Sequence, residues 1–148
     1  MPNARAASLD PLLKTLAEFR YELRRFHQFS EAAAREAGLE PQQHQLLLQI
    51  AGAAEGTQTT IAFAAERLRL KHNSAVELVD RCEREGLLSR TADPADRRRA
   101  VLRITGKGGK LLARLTRDHA RELNVLAPLL VRTLKRIQAH SAQGTERT

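Results

Sequence analysis

One cysteine, Cys82, stands in 148 residues, which excludes an internal disulfide and any multi-cysteine zinc site. There is no tryptophan, and the aromatics number only five. No apolar run is long enough to span a bilayer, and no signal-peptide core follows Met1. The expectation is a chain that stays in the cytoplasm. Catalytic signatures are missing too: no Gly-rich phosphate loop, no HExxH, no nucleophile elbow. Gly106–Lys110 reads GKGGK but lacks phosphate-loop spacing and follows a strand-like run. The five histidines are scattered. Neither an enzyme, a metal site nor a cofactor is expected, and there is no internal repeat. Acidic residues are scarce, 17 against 25 Lys and Arg, giving a net charge of +8 and a pI near 10.7. From Arg97 to Arg121 there are nine basic residues and one acidic, Asp118. A basic face points to a polyanion partner; the bland alternative is a solvated helix face. A membrane surface fits poorly, because no bulky aromatics accompany the charge.

What is present is organised around 57–105. Ile61, Ala64, Ala65 and Leu68 mark a short helix, with Thr59 or Thr60 as its N-cap. A second helix is predicted over about 72–85, with Ala75, Leu78, Val79 and Cys82 as a buried stripe. Gly86 sits where a left-handed C-cap is wanted. The short connection between the two helices predicts a helix-turn-helix. Two strand-like runs follow, 87–92 and 100–105, and Thr57–Thr60 can add a brief third strand. Between the runs lies DPADRRR, 93–99. Its proline and aspartates are turn chemistry, and its three arginines must face water. A recognition helix beside a cationic wing suits a major groove flanked by a minor groove.

LVDRCEREGLLSR, then DPADRRRAVLRIT, then GKGGK at a helix start, resembles the MarR family of bacterial transcriptional regulators. The likeness spans nearly the whole chain. It implies a mostly α fold: a winged helix-turn-helix with a small two- or three-stranded wing sheet, plus a helical dimerisation domain. It also implies a homodimeric regulator of an inverted-repeat DNA operator, commonly a repressor, often released by a small aromatic or phenolic effector. Glu77 departs from the family, many of whose members carry a basic or hydroxyl residue there. It repels phosphate but can accept from cytosine N4. The alternative is a winged-helix module for protein or RNA contact without operator specificity, against which the arginine wing argues.

The DNA-binding candidates are His72, Asn73, Ser74, Glu77 and Arg81 on the helix, and Arg97, Arg98 and Arg99 on the wing. Ser74 can equally cap the helix. Arg81 and Arg84 can contact phosphate or form i,i+4 pairs, Glu77 with Arg81 and Asp80 with Arg84. By the family spacing Arg98 braces Asp96, leaving Arg97 or Arg99 for the minor groove. Cys82 reads as a structural thiol rather than a redox switch.

Outside this unit, residues 1–8 should fray. Ser8 or Asp10 can cap a long helix with Pro11 in its first turn. Its apolar series is Leu9, Leu13, Leu16, Phe19, Leu23 and Phe26, and it should stop at Gly38. Pro41 starts a helix to about Ala51, whose LLLQIA should be fully buried. After Thr105, which can cap the next helix, three glycines in the first turn should weaken its start, and it should firm up by Leu111. Leu112, Leu115, His119, Leu123 and Leu126 continue it, and Pro128 should begin a separate last helix. The expected organisation is 1–38 and 106–140 for dimerisation, 39–105 for DNA binding, and a disordered tail over 141–148. Four of the five aromatics fall between Phe19 and Phe29. They serve core and dimer packing, or some line an effector pocket, with Tyr21, Phe26, His27 and His44 as candidates.

Overall fold

In the computed structural model the elements follow as α1 (Ala4–Glu36), α2 (Pro41–Ala51), α3 (Ile61–Leu68), α4 (His72–Arg84), β1 (Leu88–Ala92), β2 (Ala100–Ile104) and α5 (Gly106–Thr145). The backbone is described for residues 4–145 and the side chains for 11–143. The chain divides into two compact units, 31–117 and the pair of segments 1–30 and 118–148. Sequence reasoning puts the borders near 38 and 105. They fall earlier on α1 and later on α5 because Ala34, Leu112 and Leu115 pack into the core of 31–117.

That unit is a winged helix. Leu46, Leu47, Leu78, Val79, Leu87, Leu88 and Leu102 are buried together, drawn from α2, α4, the turn before β1 and the two strands. Pro41 opens α2 at its first position, and the Glu40 N–H donates to Gln43 Oε1 at 2.9 Å. LLLQIA is less buried than expected: Leu48 is 37% exposed. β1 and β2 pair antiparallel, with Leu88 opposite Ile104 and Arg90 opposite Leu102. The anticipated third strand shrinks to a single bridge, Thr60 with Val101. Thr59 secures it: its Oγ1 donates to Leu102 O at 2.7 Å, and its carbonyl accepts from Leu102 N at 2.8 Å.

α5 starts at Gly106, so its first turn is already formed across the glycines, with Thr105 as the expected cap. Thr105 Oγ1 accepts from Gly108 N at 3.1 Å and donates to Gly86 O at 2.6 Å. That cap offsets the weak helix propensity of the glycines. Gly108 has a further reason to be glycine: a Cβ there would lie 2.1 Å from Leu87 O.

The other unit contains α1 from its start to Ser30 and α5 from Asp118 onward. Pro11 lies inside α1 rather than in its first turn, because the helix already runs from Ala4. The suggested fraying of 1–8 falls on residues 1–3, which are outside the described residues, and on a segment that is helical from Ala4. Leu9 and the proposed caps Ser8 and Asp10 fall outside the described side chains. Pro128 does not begin a new helix; α5 continues through it. The more buried side, Glu122, Leu126, Leu129, Thr133, Ile137 and His140, keeps one helical phase across the proline. One lost N–H is tolerated when both flanks share that register. α5 also runs to Thr145 where a disordered tail from 141 is expected; Ser141 Oγ donates to Ile137 O at 3.1 Å. Residues 146–148 lie outside the described residues.

Candidate nucleic-acid interface

Thr60 caps α3, its Oγ1 accepting from Phe63 N at 3.2 Å. Arg69 ends the helix in the left-handed region at φ 57°, a conformation that costs a non-glycine residue something. That turn lets α4 start three residues later. Ala75, Leu78, Val79 and Cys82 are buried. His72, Asn73, Ser74 and Glu77 are all exposed in the first two turns, so the structure brings these four candidates together on the outer side. Lys71, not Ser74, occupies the N-cap, and it makes no side-chain cap bond. Ser74 is the third helical residue, and its hydroxyl is available outward.

The predicted pairs along α4 do not form. Arg81 Nη1 pairs with Glu40 Oε2 at 3.2 Å. Asp80 pairs with Arg90 of β1, whose Nε also lies 3.4 Å from Glu83 Oε2. Gln43 Nε2 donates to Glu85 Oε2 at 2.9 Å. Groups from α2 and β1 arrive within reach and displace the i,i+4 partners. Arg81 is therefore held by Glu40 rather than presented freely. Arg90 is the residue that sequence reasoning missed. It joins the wing to the recognition helix, and the only hint was a charged residue in the middle of a short strand.

At the wing tip, Asp93 is buried and its Oδ1 accepts from Ala95 N at 2.9 Å. Its N–H donates to Arg99 O at 3.0 Å. Asp96 Oδ1 accepts from the backbone N of Arg98 at 3.0 Å, and Asp96 Oδ2 lies 4.0 Å from Arg99 Nε. The bracing guanidinium is thus Arg99, not Arg98. Arg98 contributes its backbone, which frees its side chain. The side chains of Arg97 and Arg98 are exposed and meet no protein partner among the described residues.

Residues 37–99, from the end of α1 through the wing, match the MarR-family model. That stretch is similar to the MarR family. A Thauera aromatica protein, named for an inferred role as transcriptional regulator of the hcr operon, is 32% identical over 103 residues. The match covers 66% of this chain and 60% of that relative. Among solved structures, an S. aureus MepR–DNA complex superposes with a TM-score of 0.67 at 18% identity, covering 87% of this chain and 92% of that one. CouR from Rhodococcus jostii RHA1, bound to p-coumaroyl-CoA, gives 0.61 at 23% identity, covering 80% and 87%. At these identities the likeness is one of fold.

In this chain the effector candidates are dispersed. Tyr21 is 56% exposed, with Arg25 5.9 Å from its ring centroid. His27 is exposed. Phe26 is half-buried and edges the His119 ring at 5.9 Å; Phe29 does so at 5.3 Å. His119 Nε2 lies 2.8 Å from Ser30 Oγ. Phe26 also lines a cleft of about 160 Å³ with Glu22, Glu122, Val125, Leu126 and Leu129, and the other three candidates do not line it. His44 is buried in α2, in the winged unit. A wider cleft there, about 640 Å³, is lined by Ala51, Ile104, Leu112, Ala113 and Thr116 and by none of the four candidates. Among the described residues no cluster of three or more His, Cys, Asp or Glu could hold a metal, and no helix is long and apolar enough to cross a membrane.

Cys82 is fully buried. Burial, then the nearby Glu85 carboxylate, pushes its thiol from 9.0 up to about 11, against Arg81 and a Gln43 hydrogen bond that pull it down.

Proposed function

We propose that the chain is a DNA-binding transcriptional repressor that acts as a homodimer on an inverted-repeat operator. The observation that carries this is the pairing of two elements: a helix whose first turns present His72, Asn73, Ser74 and Glu77, and a wing presenting Arg97 and Arg98, which meet no protein partner among the described residues. Arg90 ties the two together. One helix from each copy enters successive major grooves, ~34–36 Å apart. In this reading Asn73 pairs with adenine and Glu77 accepts from cytosine. Arg97 and Arg98 lie along the minor groove, and Arg99 keeps the hairpin in shape.

The second copy is supported by what 1–30 and 118–148 lack. Among the described residues every buried apolar side chain belongs to 31–117. Leu13, Tyr21, Val125, Val131 and Leu134 are all exposed, Val125 at 78%. Apolar surface on this scale calls for a covering partner, and a second chain supplies the same helices.

The effector we propose is a small aromatic acid or its acyl thioester, received in the cleft that Phe26 lines with Leu126 and Leu129. CouR carries a ligand of that chemical class. Such a ligand acts only through its different affinities for the DNA-competent dimer and the other form.

Selecting genomic fragments bound by the protein, then competing them with duplex DNA and duplex RNA, tests the central reading. An enriched inverted repeat, bound far more tightly than RNA, is expected. Preference for RNA, or no enrichment at low salt, overturns it. For the effector, a panel of aromatic acids should weaken operator binding, and Phe26→Ala should blunt the response. Unchanged affinity across the panel removes the effector.

A further inference from the structure

The wing arginines account for only part of the chain's cationic stretch. Lys107, Lys110, Arg114 and Arg117 step by three, four and three along the start of α5, and all four are exposed. At ~100° per residue they fall within an arc of about 80° over ~15 Å of helix. Gly108, Leu112 and Leu115, on the adjoining face, are buried. Lys107 Nζ donates to Glu85 O at 2.8 Å, just past the C-terminus of α4. The stripe therefore starts at the end of α4 away from the base-reading residues, about 18 Å along the helix. Lys110, Arg114 and Arg117 meet no protein partner among the described residues.

Resting on the DNA-binding reading above, we propose that this face of α5 is a second phosphate-binding surface, for duplex DNA beyond the operator. Its chemistry favours that occupant. Protein interfaces are built around large apolar or aromatic anchors, whereas the exposed neighbours here are Ala113 and Thr116. A membrane surface would need bulky apolar side chains to insert. A row of cations with no apolar centre matches a phosphate backbone, where contacts position without reading sequence. The duplex can be the flank of the operator DNA or a separate molecule.

The test uses the variant Lys110→Gln/Arg114→Gln/Arg117→Gln, whose glutamines keep helix propensity and whose fold is checked by thermal melting. Affinity is measured on a duplex of about 20 bp carrying one selected operator, and on one of about 60 bp with the same operator centred, lengths set against the ~10 bp turn. The expected result is unchanged affinity on the short duplex and about tenfold loss on the long one, with the salt slope there flatter by ~0.9 for each phosphate contact removed. A second arm offers labelled non-operator duplex to protein saturated with the short operator. Capture by the original chain but not by the variant assigns the surface to a separate duplex, and supports the proposal equally. Equal affinities of variant and original chain in both arms overturn it. So does equal loss on short and long duplexes, because the cations would then act only through the general field. If the original chain binds no duplex at all, the repressor reading has failed first.

Discussion

Cys82 shows how a single side chain ties the recognition helix to the core. It has no exposed surface, and its thiol is held near 11. Its folded-state pKa is raised above the unfolded one, so the native state keeps a proton that the unfolded chain loses. Stability should then fall as pH rises from about 9 to 11, by up to ~1.4 kcal/mol per unit. Denaturant melts of Cys82→Ala against the original chain should show this alkaline slope only in the latter, and thiol reagents should label the native protein slowly. Rapid labelling at neutral pH would contradict the buried thiol. The wing offers a second residue-scale test. Arg97→Ala and Arg98→Ala should each weaken binding to all duplex sequences alike and flatten the salt slope by ~0.9 per lost contact. Arg99→Ala should act first on the hairpin's own order. Full affinity in the Arg97 and Arg98 variants would remove them from the interface. The turn chemistry of 93–99 was readable from its aspartates and proline; which arginine Asp96 takes was not. That choice rests on hairpin geometry, which puts the Arg98 backbone N–H, not its guanidinium, against the carboxylate.

Among the elements, the start of α5 shows two neighbouring glycines with opposite roles. A Cβ at Gly108 would meet Leu87 O at 2.1 Å, whereas at Gly109 it would touch only Ile104 Cγ2, at 4.0 Å. Gly108→Ala should therefore destabilise by about 1–3 kcal/mol through the clash. Gly109→Ala should stabilise by up to ~1 kcal/mol through helix propensity. Equal effects in urea melts would contradict the close packing. Arg90 acts between elements. Arg90→Met should leave the helix in place but loosen the wing against it, weakening operator binding more than it lowers stability; partly exposed ion pairs contribute only ~0–1 kcal/mol. Helix periods, the Thr60 cap and the glycine stops at Gly38 and Gly86 were legible because they are local. The ion pairs were not. Glu40 reaches Arg81 from α2, and Arg90 reaches Asp80 from β1. Local i,i+4 rules are blind to such partners. Pro128 misled for the complementary reason: a strong local breaker was overridden by a register shared on both sides.

At the scale of the molecule, two long helices carry apolar surface that their own unit does not bury, while the winged unit has a complete core. The aromatic cluster between Phe19 and Phe29 was visible in sequence, but no spacing rule could say which rings a ligand would meet: Phe26 and Phe29 pack on His119, whereas Tyr21 is exposed. The central claim is that two copies hold their recognition helices at the pitch of B-form duplex. It is tested most directly by moving the half-sites of a selected inverted repeat apart by ~5 bp, about half a turn, while measuring affinity and chains bound per duplex. Two chains per duplex, with affinity lost to the non-specific level at the wider spacing, is the predicted result. One chain per duplex, or the same affinity at both spacings, would contradict it.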